Sequence, residues 1–305
     1  MKRFIRNILF FISIPILFFG INMVINYLNY NNQTISITET SILIAGDSHP
    51  QKSLNPKYFN NAQNISQSAE PYALTFWKLK NIFKSYIPDT LIIGFAPHNI
   101  SQFNDLKFSE NRWSSEMFRR SYAIQEFKHI SDKISIDYST FYKVLWKNTA
   151  FYPKKNHTTF LGSYSNSKIS NISDFNTAIK RHYYKNDIEL NVSKLSINFL
   201  DSIVTLANSK KIKLIMVSNP VHHKYLKNIP TAIMDKFDQL IDQYKTTHIV
   251  FDKTRDYYPD SLYLNSDHLN AMGAKRFTKE LNTYIATKLS SIDNANKKQF
   301  YRELN

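Results

Sequence analysis

The 305-residue chain contains no cysteine and only five glycines. The lack of cysteine excludes disulfides, thiolate nucleophiles and cysteine-based metal sites, and it is compatible with either redox compartment. The sequence also lacks a His-Glu-x-x-His run and any other spacing of His, Asp and Glu that is typical of a metal site. We therefore expect neither a metal nor another cofactor.

The positive charge of the chain is large but dispersed. The formal net charge is +15, yet the basic residues are spread among polar and aromatic ones. The sequence has no dense basic tract, zinc-finger spacing or RNP-type aromatic motif, so we expect a solvated basic surface and no nucleic-acid partner. Hydrophobic residues make up 43% of the chain, which is enough for one large domain or one domain with an insertion.

The N-terminus carries a basic flank followed by an apolar run. Lys2, Arg3 and Arg6 precede the run, which extends from Ile8 to about Leu28. About twenty apolar residues cross a bilayer as a helix, and the basic flank favours the cytoplasmic side. A cleaved signal peptide is the alternative, although the run offers no small-x-small cleavage site. We expect residues 1–28 to be a signal anchor in a bacterial inner (cytoplasmic) membrane, with the remainder on the periplasmic or extracytoplasmic side.

Short apolar runs alternate with helical periodicity in the rest of the chain. Four continuous apolar runs predict buried strands, at 41–45, 90–95, 213–217 and 248–252. A shorter strand is predicted at 64–66. Amphipathic stretches predict helices at 73–86, 199–207, 231–244 and 274–285. This alternation is typical of a parallel sheet that is covered on both faces.

The predicted domain organisation follows from these patterns. Residues 29–40 are polar and are interpreted as a linker, and the main domain covers 41–290. Residues 101–191 have weak periodicity and are interpreted as an insertion, with helices expected near 115–128 and 136–146. Residues 291–305 are interpreted as a polar C-terminal tail.

Polar residues follow the predicted strands, where sites form in parallel sheets. Asp47 and Ser48 follow the first strand, and Asn265-Ser266-Asp267-His268 precede the last helix. Gly-Asp-Ser alone is most often an ordinary turn. A serine becomes a nucleophile at neutral pH when a base takes its proton, however, and His268 is placed to reach Ser48. The α/β-hydrolase elbow Gly-x-Ser-x-Gly is absent.

These blocks resemble the SGNH/GDSL hydrolase family. Gly46-Asp47-Ser48 is similar to its first block, 265–268 to its last, and Asn99 to its oxyanion asparagine. The resemblance covers roughly 41–99 and 211–289. It implies an α/β fold, a flavodoxin-like three-layer α/β/α sandwich with a parallel sheet, preceded here by one N-terminal transmembrane helix. The anchored form and the run from Asp267 to Ala274 are most similar to envelope proteins involved in O-acylating surface polysaccharides.

The resemblance implies a serine-dependent acyl ester hydrolase or O-acyltransferase that acts on cell-envelope glycans. Ser48 would attack the ester and His268 would take its proton, while the Ser48 amide, an amide near Ser66 and Asn99 would bind the oxyanion. Asp47, His49, His98 and His222 are expected to contact substrate, although the histidines would equally suit a structural role. The expected partners are an acylated glycan or ester substrate, the membrane and an envelope acyltransferase.

Two positions depart from the family pattern. No glycine follows the second strand, and the usual triad aspartate is Asn265, with Asp267 next to the histidine. Asn can orient an imidazole but cannot stabilise its positive charge as Asp does. Asp267 therefore serves the histidine, or Ser48 and His268 act as a dyad, or activity is weak or lost. In the last case the chain would be a catalytically inactive SGNH-like envelope protein that binds polysaccharide or an assembly partner.

Overall fold

The structure, a computed structural model, describes residues 1–33, 37–122, 124 and 128–303. The strands are β1 Ile42–Ala45, β2 Ala62–Asn64, β3 Thr90–Gly94, β4 Tyr184–Lys185, β5 Ile188–Glu189, β6 Lys213–Ser218 and β7 Ile249–Asp252. The α-helices are α1 Lys2–Asn32, α2 Ser48–Ser53, α3 Tyr72–Ile82, α4 Phe103–Leu106, α5 Asn111–Ser121, α6 Lys128–Ser131, α7 Tyr138–Thr149, α8 Phe175–Tyr183, α9 Lys194–Ser209, α10 His223–Leu226, α11 Thr231–Lys245 and α12 Ala271–Glu303.

Five strands form one sheet in the order β2-β1-β3-β6-β7. All neighbouring pairs are parallel, with Ile44 opposite both Asn64 and Ile92. Counted within this sheet, the order is 2-1-3-4-5, which is that of flavodoxin-like folds. The predicted fold class is therefore confirmed. Strands β4 and β5 form a separate two-residue antiparallel pair inside the insertion.

The strands are apolar throughout because helices cover both faces of the sheet. Leu43 and Leu91 belong to a large core with the buried faces of α3, α9 and α11. Ile44 and Ile92 point the other way, into a smaller core that Phe277 of α12 helps to close. Successive strand residues face opposite sides, so a parallel strand between two helical layers needs apolar side chains at every position.

Helix α1 is long and apolar enough to cross a membrane, by length and composition. The predicted end near Leu28 was wrong by four residues, because the helix continues to Asn32. The predicted linker at 29–40 therefore begins inside the helix, and its residues 34–36 lie outside the described residues. Asn22 and Asn26 are buried although they lie in an otherwise exposed helix. Their amides, together with that of Asn29 in the additional turn, bind the backbone of the insertion.

Several predicted boundaries shift in the remainder of the chain. The second strand is Ala62–Asn64, two residues earlier than predicted. The insertion contains helices Asn111–Ser121 and Tyr138–Thr149 where 115–128 and 136–146 were expected. Range 291–305, interpreted as a tail, is helical as far as Glu303. Residues 304 and 305 lie outside the described residues.

Candidate active site

Ser48 lies at the carboxyl end of β1, where the chain turns into α2. Gly46 adopts φ +135°, and a Cβ there would lie 2.8 Å from Cγ of Pro50, so glycine suits this turn. Asp47 caps α2, its Oδ1 accepting a hydrogen bond from the His49 amide at 2.9 Å. Ser48 is the first residue of α2 and is half-buried. Its amide therefore has no intrahelical acceptor.

His268 meets Ser48 from the loop that precedes α12. Its Nε2 lies 2.7 Å from Oγ of Ser48, although the residues are 220 positions apart in the chain. A backbone bridge between Tyr263 and Leu269 closes the His268 loop. The ring is only 7% exposed. The structure thus brings together the two residues that the sequence singled out.

Asn265 holds the His268 ring. Its Oδ1 accepts hydrogen bonds from the backbone N–H of His268 and from ring Nδ1, both at 2.9 Å. An amide oxygen only accepts, so Nδ1 carries the proton. The opposite nitrogen, Nε2, is then free to accept the hydroxyl proton of Ser48. Asn265 therefore selects the tautomer that a base for Ser48 requires.

Asp267 supplies a negative charge beside the same ring. Its Oδ1 lies 3.0 Å from Nδ1 of His268, and the side chain is fully buried. Burial alone would raise the pKa of Asp267, but the neighbouring imidazoles, above all His268, which also contacts it directly, hold it well below its ordinary value. The group is therefore a carboxylate at neutral pH. Asn265 provides orientation and Asp267 provides charge, two roles that one residue fills in an ordinary triad.

Four imidazole rings stack in a row behind Ser48, and we call them the histidine column: His268, His49, His98 and His182. Their successive ring centroids are 4.7, 4.1 and 5.0 Å apart. Burial lowers the pKa of His98 to about 4, so this ring is neutral. Burial lowers the pKa of His182 well below its ordinary value, so that ring is neutral too.

The pKa of His49 shifts in the opposite direction to those of His98 and His182. Burial would lower it, but Asp47 and Asp267 outweigh that effect and raise it. Nδ1 of His49 lies 3.7 Å from Asp47 Oδ1. The carboxylates of Asp47 and Asp267 therefore lie buried on either side of this ring.

The carboxylate of Asp47 is held by three donors. Its Oδ2 accepts from Nε2 of His98 at 2.5 Å and from Nδ2 of Asn99 at 2.8 Å, in addition to the amide of His49 at Oδ1. Burial would raise the pKa of Asp47, and the neighbouring His98 with these hydrogen bonds holds it well below its ordinary value. Asp47 thus connects the turn that contains Ser48 with the loop that follows β3.

Two overlapping sets of three groups are close enough to hold a small cation. They are Asp47, His49 and His98, and His49, Asp267 and His268, with ligand atoms within 4.8 Å of one another. All of these side chains are buried. The same groups form the ion pairs and hydrogen bonds described above. We attribute their proximity to these interactions and not to a bound cation.

The three predicted oxyanion donors differ in their surroundings. The Ser48 amide has no intrahelical acceptor, as described. Asn99 follows β3, and its Nδ2 contacts Asp47 and Nε2 of His98. The Ser66 amide already donates to Oδ1 of Asn64 at 2.9 Å, so it is not available for an oxyanion. The Ser66 hydroxyl is buried and has no partner among the described residues.

The four predicted substrate contacts all lie inside the protein. Asp47, His49 and His98 are at most 4% exposed, and His222 is 1% exposed. His222 caps α10, its Nε2 lies 3.2 Å from Asp260, and its amide donates to the Ser266 carbonyl. These residues shape the site from behind instead of lining its mouth. Sequence periodicity cannot tell which way a side chain points once a strand has ended.

A segment of the insertion ties the two halves of the site together. Ser165 N donates to the Gln51 carbonyl in α2, and Asn171 N donates to the Leu264 carbonyl in the His268 loop. Between them, Asn166 Nδ2 donates to the Leu269 carbonyl at 3.1 Å. The insertion therefore braces both Ser48 and His268.

The sequence analysis missed His182 and the tyrosines behind it. His182 ends α8 in the insertion, and its Nδ1 lies 2.7 Å from the hydroxyl of Tyr225. That hydroxyl lies 3.2 Å from the Tyr183 hydroxyl. The region has no motif or clear periodicity, so only its course in space could link His182 to the site.

Comparison with known proteins gives fold neighbours only. No family model matches the sequence, and no curated protein matches it. A proposed acylhydrolase from Bacteroides fragilis is 11% identical, with 87% of this chain and 94% of that chain covered and a TM-score of 0.39. A GDSL-like lipase from Bacteroides thetaiotaomicron is 13% identical, with 86% and 95% covered and a TM-score of 0.39.

A third solved structure, described as a proposed platelet activating factor from Streptococcus pneumonia, is 13% identical. The aligned region covers 92% of this chain and 98% of that chain, with a TM-score of 0.38. At such identities, an assignment of chemistry depends on the side chains of this chain. Its strand order, and the meeting of Ser48 with His268 at the carboxyl edge of the sheet, are those that the SGNH/GDSL resemblance implies.

Proposed function

We propose that this chain is a serine-dependent acyl ester hydrolase or O-acyltransferase that acts on cell-envelope glycans. The observation that carries the proposal is the 2.7 Å contact between Nε2 of His268 and Oγ of Ser48. A nucleophile and base within hydrogen-bond reach, with a third group orienting the base, is the general signature of nucleophilic catalysis.

In the proposed reaction, Ser48 Oγ forms a bond to the ester carbonyl carbon while Nε2 of His268 takes the hydroxyl proton. The Ser48 amide, with Asn99 as a second candidate, stabilises the oxyanion. When the tetrahedral intermediate collapses, the bond to the leaving alkoxide breaks, and the alkoxide receives the proton from Nε2. Water or a glycan hydroxyl then attacks the acyl-serine, His268 takes its proton, and Ser48 is released with the proton returned.

The membrane part of the proposal comes from α1. This helix is long and apolar, its apolar part is almost entirely exposed, and no acidic residue occurs in it. With Lys2, Arg3 and Arg6 on the cytoplasmic side, the domain would face outward. Acylated envelope glycans are among the esters found on that side of the membrane, and an envelope acyltransferase would be the donor partner.

The test is an acyl-transfer assay on the full chain in detergent. A nitrophenyl acetate donor is offered with and without an oligosaccharide acceptor, and products are identified by mass spectrometry. Ser48→Ala should lower turnover by about 10³-fold or more, whereas Ser202→Ala, at a serine on α9 outside the site, should not. Equal turnover by the Ser48→Ala variant and the unaltered chain would refute the proposed nucleophile.

The second candidate function is non-catalytic binding of polysaccharide, and Asn265 at the position of the usual triad acid favours it. The same assay distinguishes the two functions. A non-catalytic chain would retain acceptor binding but release no nitrophenol, and Ser48→Ala would change neither property.

A further inference from the structure

The insertion presents an aromatic surface that the proposed chemistry does not use. Five aromatic side chains between residues 138 and 152 are 44–62% exposed. We call them the aromatic face: Tyr138, Tyr142, Trp146, Phe151 and Tyr152. Outside α1, Tyr257 is the one other aromatic with comparable exposure among the residues up to 288 whose side chains the structure describes. Clustered exposure of this kind marks an interaction surface.

The aromatic face is ordered along one side of α7. Tyr138, Tyr142 and Trp146 recur at intervals of four residues, which places them on the same side of a helix. The rings of Tyr138 and Tyr142 stack with centroids 6.4 Å apart. Phe151 and Tyr152 continue the surface just beyond the helix end. The side chains therefore form one strip and not a scattering of exposed rings.

Positive charge accompanies this strip. Residues 138–157 contain four lysines, at 143, 147, 154 and 155, and no Asp or Glu. Lys143 and Lys147 are exposed next to the aromatic face. Aromatic rings with lysines are the composition of a membrane–water interface, because the rings suit the headgroup layer and the charges attract anionic lipid.

The strip adjoins the apolar helix at a defined depth. Phe19 of α1 contacts Trp146 and Phe151, with ring centroids 5.0 and 5.7 Å apart. Phe19 lies in the last apolar turn before Asn22. The apolar residues 8–21, which follow Arg6 and precede Asn22, rise about 21 Å as a helix, so Asn22 marks the outer end of the stretch that can lie in a hydrocarbon core. The contacts of Phe19 thus fall where α1 would leave the bilayer.

Beyond that level, α1 is fastened to the insertion by asparagines. Asn26 Nδ2 donates to the Thr149 and Tyr152 carbonyls at 2.8 and 2.9 Å, and its Oδ1 accepts from Lys154 N at 2.8 Å. Asn29 Nδ2 donates to the Lys154 carbonyl at 2.8 Å. These amides satisfy carbonyls at and beyond the end of α7. The last turns of α1 are therefore a rigid stalk, not a flexible tether.

We propose that the aromatic face lies in the headgroup layer of an anionic phospholipid bilayer. The inference rests on the anchoring role proposed for α1 and goes beyond it, because it gives the insertion a second, peripheral contact with the same membrane. One helix alone lets a domain tilt and rotate. A helix joined rigidly to an interfacial strip holds Ser48 at a fixed height and orientation above the lipid.

The absence of cysteine makes the test direct, since one introduced cysteine carries the only label. The full chain is reconstituted into vesicles of phosphatidylglycerol and phosphatidylethanolamine, with an environment-sensitive fluorophore at Tyr142→Cys. The matched control is Tyr257→Cys, at an exposed tyrosine that follows β7. β7 is one edge strand of the sheet, and β2 is the other. The insertion contacts the residues that follow β2, so Tyr257 lies at the opposite edge. A third label, at Phe10→Cys, reports α1 itself and is read with a nitroxide lipid labelled on its acyl chain, because position 10 lies within the apolar stretch.

With a nitroxide lipid at headgroup depth, the label at position 142 should lose roughly half its fluorescence, as expected for a residue in the interfacial belt, and the label at position 257 almost none. Replacing Lys143 and Lys147 by Glu should weaken the quenching at position 142. The matched pair Lys236→Glu and Lys245→Glu on α11 should leave it unchanged.

Three outcomes would overturn the proposal. If position 10 is quenched but positions 142 and 257 are equally unquenched, α1 is an anchor and the aromatic face does not touch lipid. If position 10 is not quenched, the anchor assignment fails and this proposal fails with it. If position 142 is shielded only in native membranes and not in pure lipid, the occupant is a membrane protein and not the bilayer.

Discussion

Asn265 Oδ1 accepts hydrogen bonds from both the amide and the ring Nδ1 of His268. A single side-chain oxygen thus fixes the backbone turn and the tautomer of the proposed base. Asp267 lies as close, at 3.0 Å from Nδ1, and contributes charge. This division of roles makes the two residues separable by mutation.

Removing the charge alone should reduce the rate without disturbing the ring. Asp267→Asn keeps the volume and leaves Asn265 in place, so the tautomer should persist. We expect kcat for ester hydrolysis to fall about 10²–10³-fold, the usual effect of losing one electrostatic contact to a transition state. Asp260→Asn, which removes a carboxylate that contacts His222 and not His268, is the control. Equal rates for both variants would show that Asp267 does not support the base.

Removing the orienting oxygen should have a different signature. Asn265→Leu deprives Nδ1 of its acceptor and permits the wrong tautomer, so kcat should fall about 10³-fold or more. Asn265→Asp keeps an acceptor at this position and adds charge, so it should retain or increase activity. If the Leu variant is as active as the unaltered chain, Asp267 alone orients the ring. Steady-state kinetics of the two variants at one pH make the comparison.

The turn that carries Ser48 depends on close packing between Pro50 and two glycines. A Cβ at Gly94 would lie 2.6 Å from Cδ of Pro50, so Gly94→Ala should displace the start of α2. We expect a loss of about 1–3 kcal/mol in the free energy of unfolding, together with a lower rate of Ser48 modification. Gly20 has no atom within 4 Å of a Cβ, and Gly20→Ala is the control in the same denaturant titration. Unchanged stability in Gly94→Ala would contradict the packing account.

The histidine column should make stability depend on pH. His98 has a pKa of about 4 in the folded chain against an ordinary 6.5, and that of His182 is also lowered. As the pH falls, both histidines bind a proton in the unfolded chain at a higher pH than in the folded chain. The free energy of unfolding should therefore decline as the pH falls from about 6.5 towards 4, by at most about 1.4 kcal/mol per pH unit for each group. His49, whose pKa is raised, has the opposite sign. Its contribution is present below 6.5 and is lost at higher pH.

Urea unfolding of the full chain in detergent, followed at several pH values, gives the change in the free energy of unfolding per pH unit, which we call the slope. Removing one depressed group, with His182→Phe, should flatten the slope between pH 6.5 and 4. Gln243→Phe, at an exposed residue of α11 that does not titrate, is the matched control and should leave the slope unaltered. A slope that is the same in His182→Phe and the unaltered chain would contradict the column account.

The sequence predicted what depends on local pattern and on chain order. Strands such as Ile42–Ala45 and Thr90–Gly94 are continuous apolar runs, and the carboxyl edge of a parallel sheet is where Ser48 had to lie. The meeting of Ser48 with His268 could be expected because both blocks adjoin that edge. The end of α1 was misplaced because the asparagines that extend it are satisfied by contacts with residues about 125 positions away.

Orientation at the site was beyond the sequence. His49, His98 and His222 were expected to face substrate, and all three are buried. His98 and His222 lie against carboxylates that are distant in the chain, Asp47 and Asp260. His49 stacks on His98 and His268, rings that only the folded chain brings to it. His182 lies in an insertion without periodicity, so nothing local linked it to His98. The Ser66 amide is engaged by Asn64 two residues earlier, a local turn that the sequence does not specify.

The most direct test of the central claim is labelling of the full chain with a fluorophosphonate, followed by peptide mapping. The account predicts one label, on Ser48, that is lost in Ser48→Ala and slowed strongly in His268→Gln. Ser202→Ala should label like the unaltered chain. Absence of label on Ser48, or labelling of Ser48 at the same rate in His268→Gln, would contradict the proposal that His268 activates this serine.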